Sequence, residues 1–266
     1  MDKSNKLWYR SRGLDILESR FGNNLIQNFI KTKLSNQKEF RVLEIGFGEG
    51  KCLIEIREKF PDTKISLYGI NDRKKGNMHS KLDFYHNAEK FSNPIPKTNL
   101  PKPFFYDVGK GLKFENNYFD LIISQVCIPY VDNKAFLFEE IWRVLKKGGK
   151  AFLQIDSETK EGYPDFMNLC KDTPRMVIYQ KNKIIPTKRI FDKIKKKGYN
   201  INFSRQKNKK ESFIITMEKN LNKKLNFNLL FKGNSTLYLT KLKDTDEYKK
   251  QSVIWWGTRS VYKVKK

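Results

Sequence analysis

The sequence predicts an α/β chain built on a doubly wound, mostly parallel sheet of seven strands, with helices on both faces. Three observations predict it. From residue 39 onward, short apolar runs alternate with longer amphipathic ones. The run Phe119–Ser124 is almost wholly apolar, the pattern of a strand buried on both faces. The run from Arg41 to Gly50 passes from an apolar strand pattern (Val42, Leu43, Ile45) into glycines at 46, 48 and 50, with a helical stretch after them. Glycine at alternate positions lets the backbone turn tightly and lets a ligand approach where a Cβ would collide. The helix that follows aims its unpaired N–H groups and positive dipole end at the same spot. Glycine turns of this kind also join strands to helices for packing alone, so these ten residues do not by themselves name a ligand.

Each element has its own signal. Residues 1–38 are polar, with Leu14, Leu17, Phe21, Leu25 and Phe29 at helical spacing, which predicts one or two helices as an N-terminal lid segment. Trp8-Tyr9-Arg10 precedes them, either as a packing anchor or as part of that lid. Strand one is expected over 40–46 and its helix over 50–59. Pro61-Asp62 turns the chain into strand two at 64–70. Residues 71–103 are an irregular, proline-rich insertion with one helix near 77–90, of the length that often serves as a lid. Strand three is expected over 103–106 and strand four over 119–124. Asp132 is the expected N-cap of a helix with Phe136, Ile141, Val144 and Leu145 on its apolar stripe, ended by Lys146-Lys147-Gly148-Gly149. Strand five follows over 150–155, residues 157–185 are mixed, and 187–197 is a basic helix. Strands at 200–204 and 212–218 close the main domain, 39–220. Residues 221–266 are expected as a β extension, with a hairpin over 225–242 and a further strand within 253–264.

Composition bounds the function. A chain of 266 residues can bury a full core without staples. Three cysteines, at 52, 127 and 170, with no C-x-x-C pair, argue against a disulfide framework or a zinc site, and no metal is expected. No apolar stretch approaches a membrane span, so a cytoplasmic, membrane-free protein is expected. The formal net charge of +25 invites a nucleic-acid partner. Of the 54 basic residues most are lysine, accompanied by many Asn, Ile and Phe, and an AT-rich genome supplies that set regardless of function. Solvated surface lysines and a real anionic partner both remain open.

The segment from 39 to 156 resembles the class I S-adenosylmethionine-dependent methyltransferases, of the type 11 kind. The resemblance is carried by Leu43-Glu44-Ile45-Gly46-Phe47-Gly48-Glu49-Gly50, then Tyr68-Gly69-Ile70-Asn71, then Tyr106-Asp107-Val108. It continues in Tyr118-Phe119-Asp120-Leu121-Ile122-Ile123-Ser124-Gln125 and in Glu139-Glu140-Ile141-Trp142-Arg143-Val144-Leu145-Lys146-Lys147-Gly148-Gly149-Lys150. It implies a Rossmann-like fold, methyltransferase activity and S-adenosylmethionine as cofactor. That cofactor has no phosphate, so the glycine turn would serve close approach rather than anion capture. The resemblance implies that Glu44 orients the turn near the methionine ammonium, and that the backbone at Ile45, Gly46, Gly48 and Gly50 lines the methionyl and ribose parts. Family members carry an acidic residue for the ribose hydroxyls where this chain has Asn71, with Asp72 next to it. Asp107 would accept from the adenine amino group with Val108 beside it, and Ser124 and Gln125 would border the sulfonium and the acceptor.

The acceptor is less legible. An Asn/Asp-Pro-Pro-aromatic run, used to methylate exocyclic amino groups of bases, is missing after strand four, where the chain has Gln125-Val126-Cys127-Ile128. Cys127 lacks the context that activates a covalent thiolate and is expected to be buried and inert. A general base is needed only when the acceptor holds its proton at neutral pH. His79, His86, Tyr130 and Asp156 are candidates, and nothing in the sequence chooses among them. A small-molecule acceptor leads, an RNA (tRNA or rRNA) or protein acceptor is the alternative, and a non-catalytic binding protein on the same fold is the third reading. Oligomeric state is open.

Overall fold

The computed structural model describes residues 12–61, 64–72, 78–90, 95–125, 127–128, 131, 134–154, 176–180, 183–185, 187–206, 209–226, 235–237, 240–241 and 260–261. Trp8-Tyr9-Arg10, Tyr130, Asp132 and Asp156 lie outside these residues. Two compact units divide the chain. The first comprises residues 1–108 with 118–125, the second 109–117 with 126–266.

The first unit contains helices α1 (Leu14–Phe21), α2 (Leu25–Asn36), α3 (Lys51–Lys59) and α4 (Leu82–Lys90) and strands β1 (Phe40–Ile45), β2 (Ile65–Asn71), β3 (Lys102–Phe105) and β4 (Phe119–Ser124). Its strands lie side by side in the order β3-β2-β1-β4. All three pairings are parallel, with β1 in register with β2 from Phe40↔Ile65 to Ile45↔Ile70 and with β4 from Val42↔Leu121 to Ile45↔Ser124. The apolar runs explain the order, because β1 and β4 are buried along nearly their whole length and only inner strands can be. Phe40, Val42, Leu43, Ile45, Ile65, Ile70, Phe119 and Leu121 form the core, each contributing roughly 1.5–3 kcal/mol by leaving water. Buried Asp120 locks the register, accepting from the Arg41 N–H at 2.9 Å.

The second unit holds helices α5 (Lys134–Val144) and α6 (Thr187–Lys196). Its strands are β5 (Leu145–Gln154), β6 (Met176–Gln180), β7 (Lys183–Ile185), β8 (Asn200–Gln206), β9 (Lys209–Glu218), β10 (Ser235–Leu237), β11 (Thr240–Lys241) and β12 (Ser260–Val261). Strand β9 pairs antiparallel with both β5 and β8. Buried Trp142 meets Tyr199 edge to face at 5.3 Å and donates through Nε1 to the Lys223 carbonyl at 2.9 Å. The Arg143 guanidinium grips both carboxylate oxygens of Glu140 and the carbonyls of Leu112 and Phe114. The sheet has seven strands, all parallel within the first unit (β3-β2-β1-β4) and antiparallel within the second (β5-β9-β8), as the α/β pattern predicts.

Several details depart from expectation. The N-terminal segment forms two helices, within the one or two expected, but not one continuous apolar stripe. A left-handed Asn24 breaks the chain and resets the helical phase, so Leu25 is 42% exposed while Ile26 and Ile30 are buried. The residues Lys146-Lys147-Gly148-Gly149 belong to β5 rather than to the end of a helix. Gly148, left-handed at φ 74°, donates its N–H to the Lys219 carbonyl, and the Lys219 N–H donates to that of Gly149. Of the hairpin expected over 225–242, residues 227–234 lie outside the described residues; β10 pairs with β6, which also pairs with β7 and β12. Cys127 is half-exposed rather than buried. Among the described residues, no helix is long and apolar enough to cross a membrane, and no group of three His, Cys, Asp or Glu side chains is placed to hold a metal.

Candidate functional site

Parallel strands put all their carboxyl ends on one edge of the first unit. Strand order reverses at β1, whose neighbours β2 and β4 lie on opposite sides, and the crevice outside such a switch point is where doubly wound sheets bind ligands. That edge gathers Glu44 and the glycine turn after β1, Asn71 and Asp72 at the end of β2, Asp107 and Val108 after β3, and Ser124 and Gln125 at the end of β4.

The glycine turn is built for a close approach. Gly46, Gly48 and Gly50 take φ of 77°, 58° and 87°, the left-handed region that side chains disfavour. Their surroundings differ. A Cβ at Gly50 would lie 2.4 Å from the Phe84 ring, whereas one at Gly48 would have nothing within 4 Å. Gly50 is therefore glycine for packing, and Gly48 faces open room. Helix α4 completes the wall through Phe84, which also meets the Phe47 ring at 5.5 Å, and through Asn87, which donates to the Glu49 carbonyl at 3.2 Å. Neither residue is among the candidates named from sequence, although Phe84, Asn87 and Ala88, all buried, sit at helical spacing that marks this packed face.

Asn71 is engaged differently from the role its position implied. Its Oδ1 accepts from the Gly48 N–H at 3.1 Å and its Nδ2 donates to the Gly48 carbonyl at 3.1 Å. The amide pins the glycine turn from both sides, and Asp72 beside it is exposed. Asp107 is exposed, and Val108 is buried at the start of a single 3-10 turn. The hydroxyl of Ser124 is fully buried and donates to the Ile45 carbonyl at 2.9 Å, so it ties β4 to β1.

Glu44 and Gln125 form the buried polar centre of the edge. Glu44 is 2% exposed, and burial pushes its carboxyl well above the usual range, opposed by a hydrogen bond from Gln125. Among the described residues, Glu44 Oε2 and Gln125 Oε1 are buried and without hydrogen-bond partners. Two acceptors orphaned side by side on one edge lack a donor, and a cationic one matches the carboxylate best. The amino-acid end of S-adenosylmethionine is such a donor, so the residues present fit that group. His79 and His86 are exposed on or near α4, and His79 acts electrostatically on Glu49 of the glycine turn.

Comparison with known proteins agrees. Residues 43–153 match the family model described as a methyltransferase domain. The Bacillus subtilis (strain 168) protein YrhH, whose name proposes a methyltransferase, is 22% identical over 63% of this chain and 87% of its own length. Malonyl-[acyl-carrier protein] O-methyltransferase 1 of Ilyobacter polytropus is 26% identical over 47% of this chain, and phosphoethanolamine N-methyltransferase 2 of Caenorhabditis elegans is 28% identical over 58% of it. The matches span only 41% and 34% of those two proteins. On its strand order, its glycine turn and this match, the segment 43–153 is a methyltransferase domain.

Proposed function

We propose that the carboxyl edge of β1–β4 holds S-adenosylmethionine for methylation of an O, N or C nucleophile on a small-molecule acceptor. The observation that carries this reading is the orphaned pair, Glu44 Oε2 and Gln125 Oε1, beside a turn with open room at Gly48. In this reading the pair takes the methionine ammonium, and the backbone at Ile45, Gly46 and Gly48 lines the methionyl and ribose parts. Asp72 takes the ribose hydroxyls, because the Asn71 amide is committed to Gly48. Asp107 and the Val108 backbone take the adenine. When bound, S-adenosylmethionine supplies a methyl group on a positively charged sulfur, which a nucleophile displaces in line with S-adenosylhomocysteine as the product. The protein's part is to orient both partners and exclude water, which can supply much of the acceleration.

A small acceptor group is favoured by two relatives, whose names give phosphoethanolamine and a malonyl group borne on an acyl-carrier protein as substrates. One observation favours RNA as the second reading. Residues 193–210 carry eight Lys or Arg and no Asp or Glu, and an AT-rich composition does not explain the missing acids. The test is transfer of a labelled methyl group from S-adenosylmethionine in a mixture of small carboxylates, phosphorylated amino alcohols and total tRNA. Label in the acid-soluble fraction is the expected result, and label in RNA overturns the small-acceptor reading.

A further inference from the structure

We infer that Gln125 is a positioning residue that couples docking of the backbone at residues 12–14 to occupancy of the cofactor site. The inference rests on the cofactor reading above.

The peptide ahead of α1 is strapped to the site by two side chains, both belonging to elements that build the glycine-turn edge. Gln125, at the end of β4, donates through Nε2 to the Arg12 carbonyl at 3.0 Å and lies 3.4 Å from that of Gly13. Glu55, on the helix that follows the glycine turn, accepts from the Leu14 N–H at 2.5 Å and so caps the first turn of α1. Gly13 sits between them. Its φ of −82° and ψ of −179° are open to any residue, so glycine is not there for its conformation. It is there for room, because a Cβ would lie 2.3–2.8 Å from the Glu55 carboxylate. Leu14 and Leu17 are fully buried behind this junction, so displacement of the strap disturbs α1 as a whole.

The same Gln125 amide faces the site through its other end. Its Nε2 also donates to Glu44, and its other end, Oε1, is one of the two orphaned acceptors. A cationic donor that fills the orphaned pair fixes the Gln125 side chain, and a fixed side chain holds its Nε2 on the strap. Linkage makes the effect reciprocal. Whatever factor the docked strap adds to cofactor affinity, the cofactor adds to docking.

The test uses the full chain and S-adenosylhomocysteine, with calorimetry for binding and hydrogen exchange for the amides of Leu14–Phe21. Gly13→Ala leaves the site's residues unchanged and pushes Glu55 off Leu14. Glu55→Ala removes the same cap if the first variant folds poorly by circular dichroism. The wild type is expected to slow exchange across Leu14–Phe21 when saturated. Both variants should lose that slowing and bind roughly 5–150-fold more weakly. Gln125→Glu, which sets a carboxylate against two carbonyls, should lose it too. A purely structural strap would lower stability without moving affinity. Binding heat in the wild type with no change of exchange at Leu14–Phe21, or variants that bind as the wild type does, overturns the coupling. Absence of binding heat in the wild type overturns the cofactor reading itself, and the coupling with it.

Discussion

The side-chain amide of Asn71 closes on the backbone of Gly48 from both sides, with Oδ1 accepting from its N–H and Nδ2 donating to its carbonyl, each at 3.1 Å. Asn71 is 7% exposed and makes both hydrogen bonds from within the fold, whereas Gly48 is exposed, so the cost of removing the amide is the loss of the clamp. Asn71→Leu should cost about 1–3 kcal/mol in urea denaturation and weaken S-adenosylhomocysteine binding at least about tenfold, because the turn loses its support. Asn71→Asp keeps the acceptor but turns a carboxylate toward the Gly48 carbonyl, and should fare no better above the carboxyl's titration. Wild-type affinity in both variants would show that the clamp is idle.

Two glycines of one turn should behave oppositely. Gly50→Ala drives a methyl group into Phe84 at 2.4 Å, and overpacking of this kind costs about 1–3 kcal/mol beyond the left-handed strain. Gly48→Ala meets nothing within 4 Å and bears only that strain, about 1–2 kcal/mol. Thermal melts should therefore show the larger loss in Gly50→Ala. Calorimetry should show disproportionate loss of cofactor binding in Gly48→Ala, where the methyl group occupies the open room.

Glu44 gives the cofactor-free protein a signed pH dependence. Its carboxyl is raised by burial above the ordinary 4.5, so the folded state holds the proton more tightly than the unfolded one. Stability from this group is fully present below pH 4.5 and is lost as pH rises toward the folded value, at about 1.4 kcal/mol per pH unit of that window. Glu44→Gln stays neutral throughout. It should match the wild type near pH 4.5, exceed it at pH 7.5 in urea denaturation, and bind S-adenosylmethionine more weakly. A variant less stable than wild type at pH 7.5 would contradict this account.

Arg143 is the hub of the second unit, gripping Glu140, Leu112 and Phe114 through its planar fork. Lysine carries the charge but not the fork. Arg143→Lys should lower stability by roughly 1–3 kcal/mol, since several hydrogen bonds to partly buried carbonyls are lost together. Cofactor affinity at 25 °C should be unchanged, because the site residues lie in the first unit.

Much of this was readable in the sequence, for physical reasons that differ from residue to residue. The strand Phe119–Ser124 falls on its expected residues because an unbroken apolar run between polar turns admits one reading. The glycine turn, Glu44 and Gln125 stand together at one edge because parallel strands impose it. What could not be read depends on partners distant in sequence. The Asn71 clamp joins residues 23 apart, and Gln125 reaches Arg12 across 113. The strand character of Lys146-Lys147-Gly148-Gly149 comes from Lys219, which no local pattern announces. The Gly22–Asn24 break, which exposes Leu25, is a local signal that the long amphipathic pattern obscured.

The most direct test of the central claim is a calorimetric titration of the full chain with S-adenosylmethionine and S-adenosylhomocysteine, beside Gly46→Arg. The account predicts one site per chain in the wild type and none in the variant, whose side chain fills the turn between β1 and α3. No heat in the wild type, or equal binding in the variant, would contradict it.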